Sequence, residues 1–170
     1  VVDMDLSKCF DQLDHELILR SIRKRVTDSS VLALIKQFLQ SGVLIEGSWQ
    51  ATETGSPQGG VISPLIANIY LDAFDQTMRK RGHRIVRYAD DILIFSRSRK
   101  GAENALRQAT KILEETLKLT VNQSKTHLTH SAEGVKFLGV EIGSRTTRIQ
   151  PKKLKGFKEK LKQMTKRNSG

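Results

Sequence analysis

Three aspartates have the residue type and spacing that suit catalysis. Asp5 ends the alternating apolar run that opens the chain, and Asp90 and Asp91 are adjacent, with β-forming runs on both sides. Carboxylates crowded together repel one another, so one of them must take up a proton unless a cation neutralises them. Mg²⁺ prefers oxygen ligands, and two such ions about 3.5–4 Å apart can stabilise the attacking and leaving oxygens of a phosphoryl displacement. The spacing predicts such a site, although an arbitrary Asp-Asp pair more often forms only a polar turn.

A second segment whose residues suit ligand binding is 56–68, which reads Ser-Pro-Gln-Gly-Gly-Val-Ile-Ser-Pro-Leu-Ile-Ala-Asn. Gly59 and Gly60 permit a close backbone approach to a ligand, and the helix that follows offers free N–H groups to a phosphate or sugar. A glycine loop that merely caps a helix is the alternative interpretation.

The elements that must position these residues alternate between strands and helices. Asp14 is a good N-cap for a first helix. Asp28 or Ser29 can begin a second helix, which Gly42 ends. Pro64 suits the first turn of a third helix, the longest. Apolar and turn residues predict the other elements: a first strand ending at Asp5, a hairpin or loop over 43–56, a hairpin over 84–97, a helix with the stripe Ala105–Leu117, strands near 125–130 and 135–142, and a helix from Lys152.

This order predicts an α+β fold. Strand, helices, strand, strand, helix and strand match the split βαβ plan of a ferredoxin-like antiparallel sheet, with helices on one face. The other face stays open, and Asp5 would meet the 84–97 hairpin tip there. Asp3 shares the strand face of Asp5, and we expect it nearby without binding metal.

The charge of the chain favours a polyanionic partner. Its net charge is +11 at pH 7, and from Arg145 onward Glu159 alone opposes a run of basic residues. Such a tail suits phosphate backbones or an anionic membrane surface, or it is simply a solvated amphipathic helix; we favour nucleic-acid contact. No apolar run approaches the ~20 residues of a membrane span, so we expect no membrane partner.

Cysteine and histidine usage restricts the class of site further. Cys9 is the single cysteine, so no internal disulfide can form, and we expect a buried thiol in a reducing, cytoplasmic setting. The four histidines lack the closely paired spacing of zinc ligands. We therefore expect no zinc site.

Several motifs together resemble one enzyme family. Tyr88-Ala89-Asp90-Asp91 resembles the signature tetrapeptide of reverse transcriptases, and in the run from Asp5 to Asp11 an aspartate precedes an aromatic by five positions, as in the family's first acidic motif. Residues 56–68 resemble, nearly residue for residue, the segment that lies along the template. Leu119–Asn122 with Lys125, and Val135–Val140, resemble the two motifs that follow. The resemblance is to the group II intron type and covers residues 1 to about 143.

The resemblance implies roles for individual residues. By it, Asp5, the carbonyl of Leu6, Asp90 and Asp91 bind two Mg²⁺ ions, with Mn²⁺ as a possible substitute. Phe10 is the steric gate against a ribose 2′-hydroxyl, and Lys125 lies near the triphosphate as a possible general acid. Further nucleotide contacts are implied for Gln58, Gly59 and Tyr88, and template–primer contacts for Ser56, Pro57, Gly60, Phe137, Leu138, Gly139, Lys152, Lys153 and Lys155.

The resemblance also implies a function and a domain plan. We expect an RNA-directed DNA polymerase that takes an RNA template, a DNA primer and dNTPs, within a bacterial retroelement protein that also binds intron RNA and assists splicing. Residues 1–143 would form the palm with part of the fingers, and residues 144–170 a basic linker and the start of a thumb-like helix. The chain opens within a strand and without methionine, so we expect a fragment that is weakly active or inactive alone.

Alternatives stay open at this point. One is a non-catalytic, RNA-binding maturase remnant, which Mg²⁺-independent function would support. Another is a reverse transcriptase of the retron or diversity-generating type. A third is a different two-metal enzyme on a similar sheet, such as an RNA-templated RNA polymerase or a nucleotide cyclase. Phe10 disfavours the last, because an enzyme that uses ribonucleotides needs space at that position.

Overall fold

A computed structural model of the chain describes residues 1–45, 48–50, 54–56, 60–143 and 145–166. Backbone contacts divide it into two compact units. The larger unit is Val2–Leu128, and the smaller unit is Thr129–Gly170 together with Val1. The predicted division at residue 143 into palm and thumb stays a prediction.

The larger unit contains most of the helices and the principal sheet. Its elements in chain order are β1 (Val2–Met4), a 3₁₀ turn (Cys9–Gln12), α1 (His15–Arg23), α2 (Ser29–Gln40), β2 (Val43–Ile45), β3 (Ser48–Gln50), α3 (Ser63–Lys80), β4 (Arg84–Tyr88), β5 (Asp91–Phe95), α4 (Arg99–Lys111), a π-helical turn (Ile112–Thr116) and β6 (His127–Leu128).

Side-chain caps set where the helices begin. The Asp14 carboxylate accepts the N–H of Leu17 at 3.0 Å, and Asp28 accepts the N–H of Ser30 at 2.8 Å, so each satisfies a backbone donor that its helix leaves open. The Asp14 cap was predicted, and of the two residues predicted to begin the second helix, Asp28 and Ser29, the cap is Asp28. The predicted stop after α2 is also observed, since Gly42 adopts a left-handed φ of 72°.

The principal sheet has the strand order β4-β5-β1-β6, and every neighbouring pair is antiparallel. That order is the one a split βαβ plan requires, with β1 inserted between β5 and β6. The predicted ferredoxin-like fold is therefore confirmed.

One face of this sheet packs against the helices. Val2 and Met4 of β1 and Ile92 and Ile94 of β5 are fully buried on that face. Helix α3 supplies the largest buried side chains, and the small residues of α4 let that helix approach closely; the members of the two stripes are Ile66, Tyr70, Leu71, Phe74 and Met78, and Ala102, Ala105 and Ala109. The buried thiol of Cys9 confirms its predicted place in the core.

The smaller unit is a three-stranded antiparallel sheet followed by a helix: β7 (Val135–Phe137), β8 (Val140–Ile142), β9 (Thr147–Ile149) and α5 (Pro151–Met164). Leu138 and Gly139, with φ of 49° and 83°, form the turn between β7 and β8. Strand β9 was not predicted. Every residue of α5 is exposed.

No helix in the described ranges is long and apolar enough to cross a membrane.

Candidate active site

Strand pairing brings Asp5 and Asp91 together. Met4 pairs with Ile92 across β1 and β5, so continuing the register by one residue places Asp5 opposite Asp91, at the start of β5. Directly opposed residues of an antiparallel pair share a face of the sheet. Because Met4 faces the core, Asp5 and Asp91 face the open side, where they were predicted to meet.

The β4-β5 connection presents the adjacent Asp90. Tyr88 pairs with Asp91, so Ala89 and Asp90 alone form the turn. Ala89 has a φ of 52°, a left-handed conformation that is unfavourable for a residue with a Cβ by roughly 1–2 kcal/mol. The surrounding contacts must therefore stabilise this turn.

Arg87 supplies such a contact from the opposite face of β4. It pairs with Ile92, which is buried, and so its side chain faces the helices. Its Nε and Nη2 atoms donate to the Asp75 carboxylate of α3 at 2.9 and 2.8 Å, and Nη1 donates to Asn68 Oδ1 at 3.0 Å and to the carbonyl of Ala89 at 2.9 Å. The guanidinium thus joins α3 to the turn that carries Asp90.

Electrostatics within the site follow from the crowding of acids. Burial raises the pKa of Asp91, and the negative charges of Asp90, Asp5 and Asp3 raise it further. Burial also raises the pKa of Asp3, against the opposing effect of His127, whose Nε2 lies 3.6 Å from the Asp3 carboxylate. Such a cluster favours binding of a cation, which would relieve the repulsion.

Asp5 already has positively polarised neighbours. Lys125 Nζ lies 3.3 Å from Asp5 Oδ2, and the Asn122 side-chain amide donates to the same oxygen at 3.0 Å. The Asp5 backbone N–H also donates to the Thr126 hydroxyl, at 3.4 Å. The predicted motif around Lys125 therefore contacts the first acidic residue directly.

The backbone beyond Asp5 is held by the segment before Lys125. Leu6 bridges to Val121, with hydrogen bonds from Ser7 N–H to the Thr120 carbonyl and from Asn122 N–H to the Asp5 carbonyl, both 2.9 Å. These bonds flank Leu6 and do not use its own carbonyl. That carbonyl oxygen, predicted as a metal ligand, follows directly after the Asp5 carboxylate in the chain.

Phe10 is tied to the segment that precedes the glycine loop. It is half-buried against the core, and its carbonyl accepts the Ser56 N–H at 2.8 Å. The buried Ser56 hydroxyl in turn donates to Ser63 Oγ at 2.7 Å, at the start of α3. Gly60 is described, and its carbonyl accepts the Ser63 N–H at 3.1 Å. Pro57, Gln58 and Gly59 lie outside the described residues.

The remaining predicted contacts fall into two groups. Tyr88 is exposed on the open face of the principal sheet, opposite Asp91. The predicted primer-binding residues Phe137, Leu138 and Gly139 form the end of β7 and the turn after it, and the exposed Lys152, Lys153 and Lys155 lie in the first turns of α5. All of these, except Tyr88, belong to the smaller unit.

The donor set fits a hard divalent cation. Asp5, Asp90 and Asp91 offer carboxylate oxygens, which Mg²⁺ and Mn²⁺ prefer. Over the described ranges, however, no three His, Cys, Asp or Glu side chains are gathered closely enough to hold an ion as they stand.

Sequence reasoning missed Arg87, Asp75 and the role of Asn122. The sequence did contain a signal for Arg87 and Asp75. Asp75 follows Leu71 by four positions and so lies in the buried stripe of α3. Arg87 follows Ile85 by two positions and so lies on the same, core-facing side of β4. Two opposite charges at core positions predict a buried pair. Nothing in the sequence singles out Asn122 beyond the motif in which it lies.

The sequence of the chain is similar to those of known proteins. The family model for reverse transcriptase (RNA-dependent DNA polymerase) matches residues 1–142. Protein YkfC of Escherichia coli is 31% identical over 173 residues, covering 82% of this chain and 45% of that protein. The group II intron-encoded protein LtrA of Lactococcus lactis is 25% identical over 205 residues, covering 83% of this chain and 34% of that protein. The chain thus spans less than half of each relative.

A similar fold occurs among solved structures. Telomerase from Candida albicans, in complex with the TWJ fragment of telomeric RNA, superposes with a TM-score of 0.65 over 97% of this chain and 35% of that one. The sequences are 15% identical, so the likeness concerns the fold alone.

Proposed function

The chain belongs to the reverse transcriptase (RNA-dependent DNA polymerase) family, and from this membership we propose that it forms the polymerase palm of a group II intron protein. The proposed reaction adds deoxynucleotides to a DNA primer on an RNA template. The observation that carries the proposal is the strand register that sets Asp5 opposite Asp91, beside the Asp90 turn.

The three aspartates would hold two Mg²⁺ ions, for which Mn²⁺ could substitute. Two bound ions would stabilise the attacking primer 3′-oxygen and the departing pyrophosphate oxygen. The Leu6 carbonyl, adjacent in sequence to Asp5, is a further oxygen within the same segment. Tyr88, exposed opposite Asp91, would contact the incoming nucleotide on the open face.

Lys125 would act on the triphosphate. Its ammonium lies beside Asp5 and is two-thirds exposed, so its long side chain can reach a negatively charged ligand on the open face. The ammonium would turn from Asp5 toward the phosphates of a bound nucleotide on the open face. There it could donate a proton to departing pyrophosphate, which is a general-acid role.

Phe10 would set the sugar specificity, and the loop after Ser56 would position the base pair. The hydrogen bond from the Ser56 N–H to the Phe10 carbonyl joins the segment that carries Phe10 to the start of this loop. Gln58, Gly59, Pro57 and Gly60 follow directly and would contact the nucleotide or the template strand.

Nucleic acid is the proposed macromolecular partner. The exposed lysines of α5, and the primer-binding residues Phe137, Leu138 and Gly139, would contact the template–primer backbone. LtrA is described as a group II intron-encoded protein, and we propose that this chain likewise acts with intron RNA. Because the chain spans less than half of its relatives, we propose that it binds metal and primer weakly when alone.

Nucleotide incorporation by the complete protein that carries this chain tests the proposal. We expect dNTP addition to a DNA primer on an RNA template, with little NTP addition. Asp90→Asn should abolish it, because an amide is a poorer Mg²⁺ ligand than a carboxylate. Asp72→Asn, an exposed change of the same kind on α3, is the control. Extension at the parent rate by Asp90→Asn would overturn the metal assignment.

The basic exposed helix α5 favours a second candidate, a non-catalytic RNA-binding protein of maturase type. The same assay separates the two. RNA binding that needs neither Mg²⁺ nor Asp90, without any nucleotide incorporation, would favour the second candidate.

A further inference from the structure

Arg87 makes an unusual set of contacts for a residue in a strand. Its side chain is 8% exposed and that of Asp75 10%, so the pair is largely desolvated. The two-point contact with Asp75 satisfies that carboxylate through Nε and Nη2. The Nη1 atom is then available for other acceptors, and it donates to Asn68 and to the Ala89 carbonyl.

The contact with Ala89 has a direct bearing on the aspartates. Ala89 occupies a left-handed conformation and immediately precedes Asp90. A strained turn persists only where neighbouring groups determine its geometry. Because the guanidinium is itself held by α3, its Nη1 atom fixes the position of the Ala89 carbonyl relative to the helix layer.

We propose that Arg87 is a positioning residue for catalysis, which holds the Ala89–Asp90 turn and thereby the backbone that carries the Asp90 and Asp91 carboxylates. The side chain of Arg87 lies on the face of β4 that faces the helices, whereas the aspartates face the open side. It acts through the turn, and Asp75 and Asn68 orient it. This inference rests on the proposed polymerase function.

Arginine is required for this arrangement on geometric grounds. A guanidinium presents five N–H donors in a fixed planar fork, so one side chain can bind Asp75 on one edge and Ala89 on another. A lysine has the same charge on a single ammonium nitrogen. When that nitrogen pairs with the Asp75 carboxylate, it cannot also donate to the Ala89 carbonyl with the same geometry. Arg87→Lys should therefore keep the ion pair with Asp75 and lose the hydrogen bond to the Ala89 carbonyl.

The test compares Arg87→Lys with Arg99→Lys in the complete protein. Arg99 also pairs with a carboxylate, Glu103 at 3.1 Å, but on the exposed surface of α4. Loss of a hydrogen-bond partner of a metal ligand typically lowers metal affinity or activity by roughly 10- to 100-fold, and we expect the same range for this contact, which lies one residue from Asp90. We expect Arg87→Lys to lower kcat and Mn²⁺ affinity, titrated in the absence of nucleotides, by that range. Arg99→Lys should match the parent. Parent-like values for Arg87→Lys would overturn the inference.

A double variant guards against simple loss of folding. Replacing a buried ion pair by apolar residues of similar size is often neutral for stability. We expect Arg87→Met with Asp75→Leu to unfold at a denaturant midpoint near that of the parent, and yet to show the same roughly 10- to 100-fold loss of kcat. A stable double variant with the parent kcat would contradict the positioning role.

Hydrogen–deuterium exchange separates this inference from the proposed function. If the parent protein adds no nucleotide to a primer, the proposed function has failed, and exchange at residues 88–91 still decides whether Arg87 holds the turn. Faster exchange in Arg87→Lys than in Arg99→Lys supports a hold on the turn. Equal exchange in the two variants overturns it.

Discussion

Asp91 lies where its own ionisation opposes folding. Its pKa is raised in the folded chain, first by burial and then by the charges of Asp90, Asp5 and Asp3. A carboxyl group with a raised pKa binds its proton more tightly when folded. Below the pKa that Asp91 has in the unfolded chain, about 3.9, the carboxyl group is protonated in both states and does not lower the free energy of unfolding. As the pH rises from there through the higher pKa of the folded chain, ionisation of Asp91 lowers the free energy of unfolding.

We accordingly expect Asp91→Asn to raise the free energy of unfolding at pH 7 and to have a smaller effect at pH 3, as measured by urea unfolding. Millimolar Mg²⁺ should stabilise the parent at pH 7 more than this variant, since the ion neutralises the same charge. Asp72→Asn, exposed on α3, is the matched control. A variant that is less stable than the parent by the same amount at both pH values would contradict this reasoning.

Phe10 gives the second prediction at the scale of a residue. Its side chain is half-buried against the core while its carbonyl is bound by Ser56 N–H, so truncation should leave the backbone in place. In the complete protein, Phe10→Ala should admit ribonucleotides and lower the preference for dNTP over NTP in single-nucleotide incorporation. Phe10→Tyr, which keeps the ring, should retain the preference. Unchanged sugar selectivity in the alanine variant would count against a steric gate.

At the scale of elements, Gly55 lies in the segment before the glycine loop and connects this segment to the 3₁₀ turn that carries Phe10. Its φ is 84°, and a Cβ there would lie 2.7 Å from the Phe10 carbonyl oxygen and 2.8 Å from the Asp11 Cα. Its N–H donates to the Leu13 carbonyl at 2.7 Å, and its carbonyl contacts His15 Nε2, also at 2.7 Å. The two segments are thus in close backbone contact, which leaves no room for a side chain.

Gly55→Ala should therefore lower the free energy of unfolding by about 2–4 kcal/mol, from the left-handed φ and the forced displacement of neighbouring backbone. Gly82 is the control, because its φ is 82° but nothing lies within 4 Å of its Cβ position. Gly82→Ala should cost only about 1 kcal/mol. Equal losses in chemical denaturation would show that backbone strain alone, and not the close approach, makes glycine necessary at position 55.

Elements with strong local signals were predictable from the sequence. The cap Asp14, the start of the second helix at Asp28 or Ser29, the place of Pro64 in the first turn of α3 and the hairpin that carries Asp90 each depend on neighbours in the chain, and the structure has all four. Strand β9 was missed, because its three residues are exposed and lack an apolar alternation. Its pairing with β8 is a contact that local patterns do not encode.

The candidate site was predictable to a similar degree. Spacing and the family resemblance placed Asp5 near Asp90 and Asp91, because strand order follows from the fold. The Arg87–Asp75 pair and the Asn122 contact with Asp5 depend on side-chain directions between distant elements. Roles assigned to Gln58, Lys125 and the other site residues stay predictions.

At the scale of the whole molecule, the charge is concentrated in the smaller unit. Helix α5 carries exposed lysines along its length and one acid, Glu159, whereas the aspartate cluster lies in the larger unit. The match of residues 1–142 to the reverse transcriptase model leaves α5 outside the matched range. Its proposed contact with the template–primer backbone thus rests on its charge, and the salt dependence of binding tests it.

Binding of a primer–template duplex should weaken with salt, with a slope that counts the phosphates contacted. Replacing Lys152, Lys153 and Lys155 by glutamine should reduce the slope of log K against log salt by as much as about 2–3. Glutamine at Arg23, Lys24 and Arg25, exposed at the end of α1, removes the same charge elsewhere. Equal reductions from the two triple variants in fluorescence-anisotropy titrations would show that net charge, and not α5, determines binding.

The inward charge of Arg87 has a consequence for misfolding. In the described part of the chain β4 is an edge of the principal sheet, and an edge strand can pair with the wrong partner or in the wrong register. A slip of one residue would turn Arg87 to the open face and leave the Asp75 carboxylate buried without its cation. The same ion pair therefore penalises mispaired and intermolecular sheets, so the apolar double variant should aggregate more readily on refolding even where its native state is equally stable.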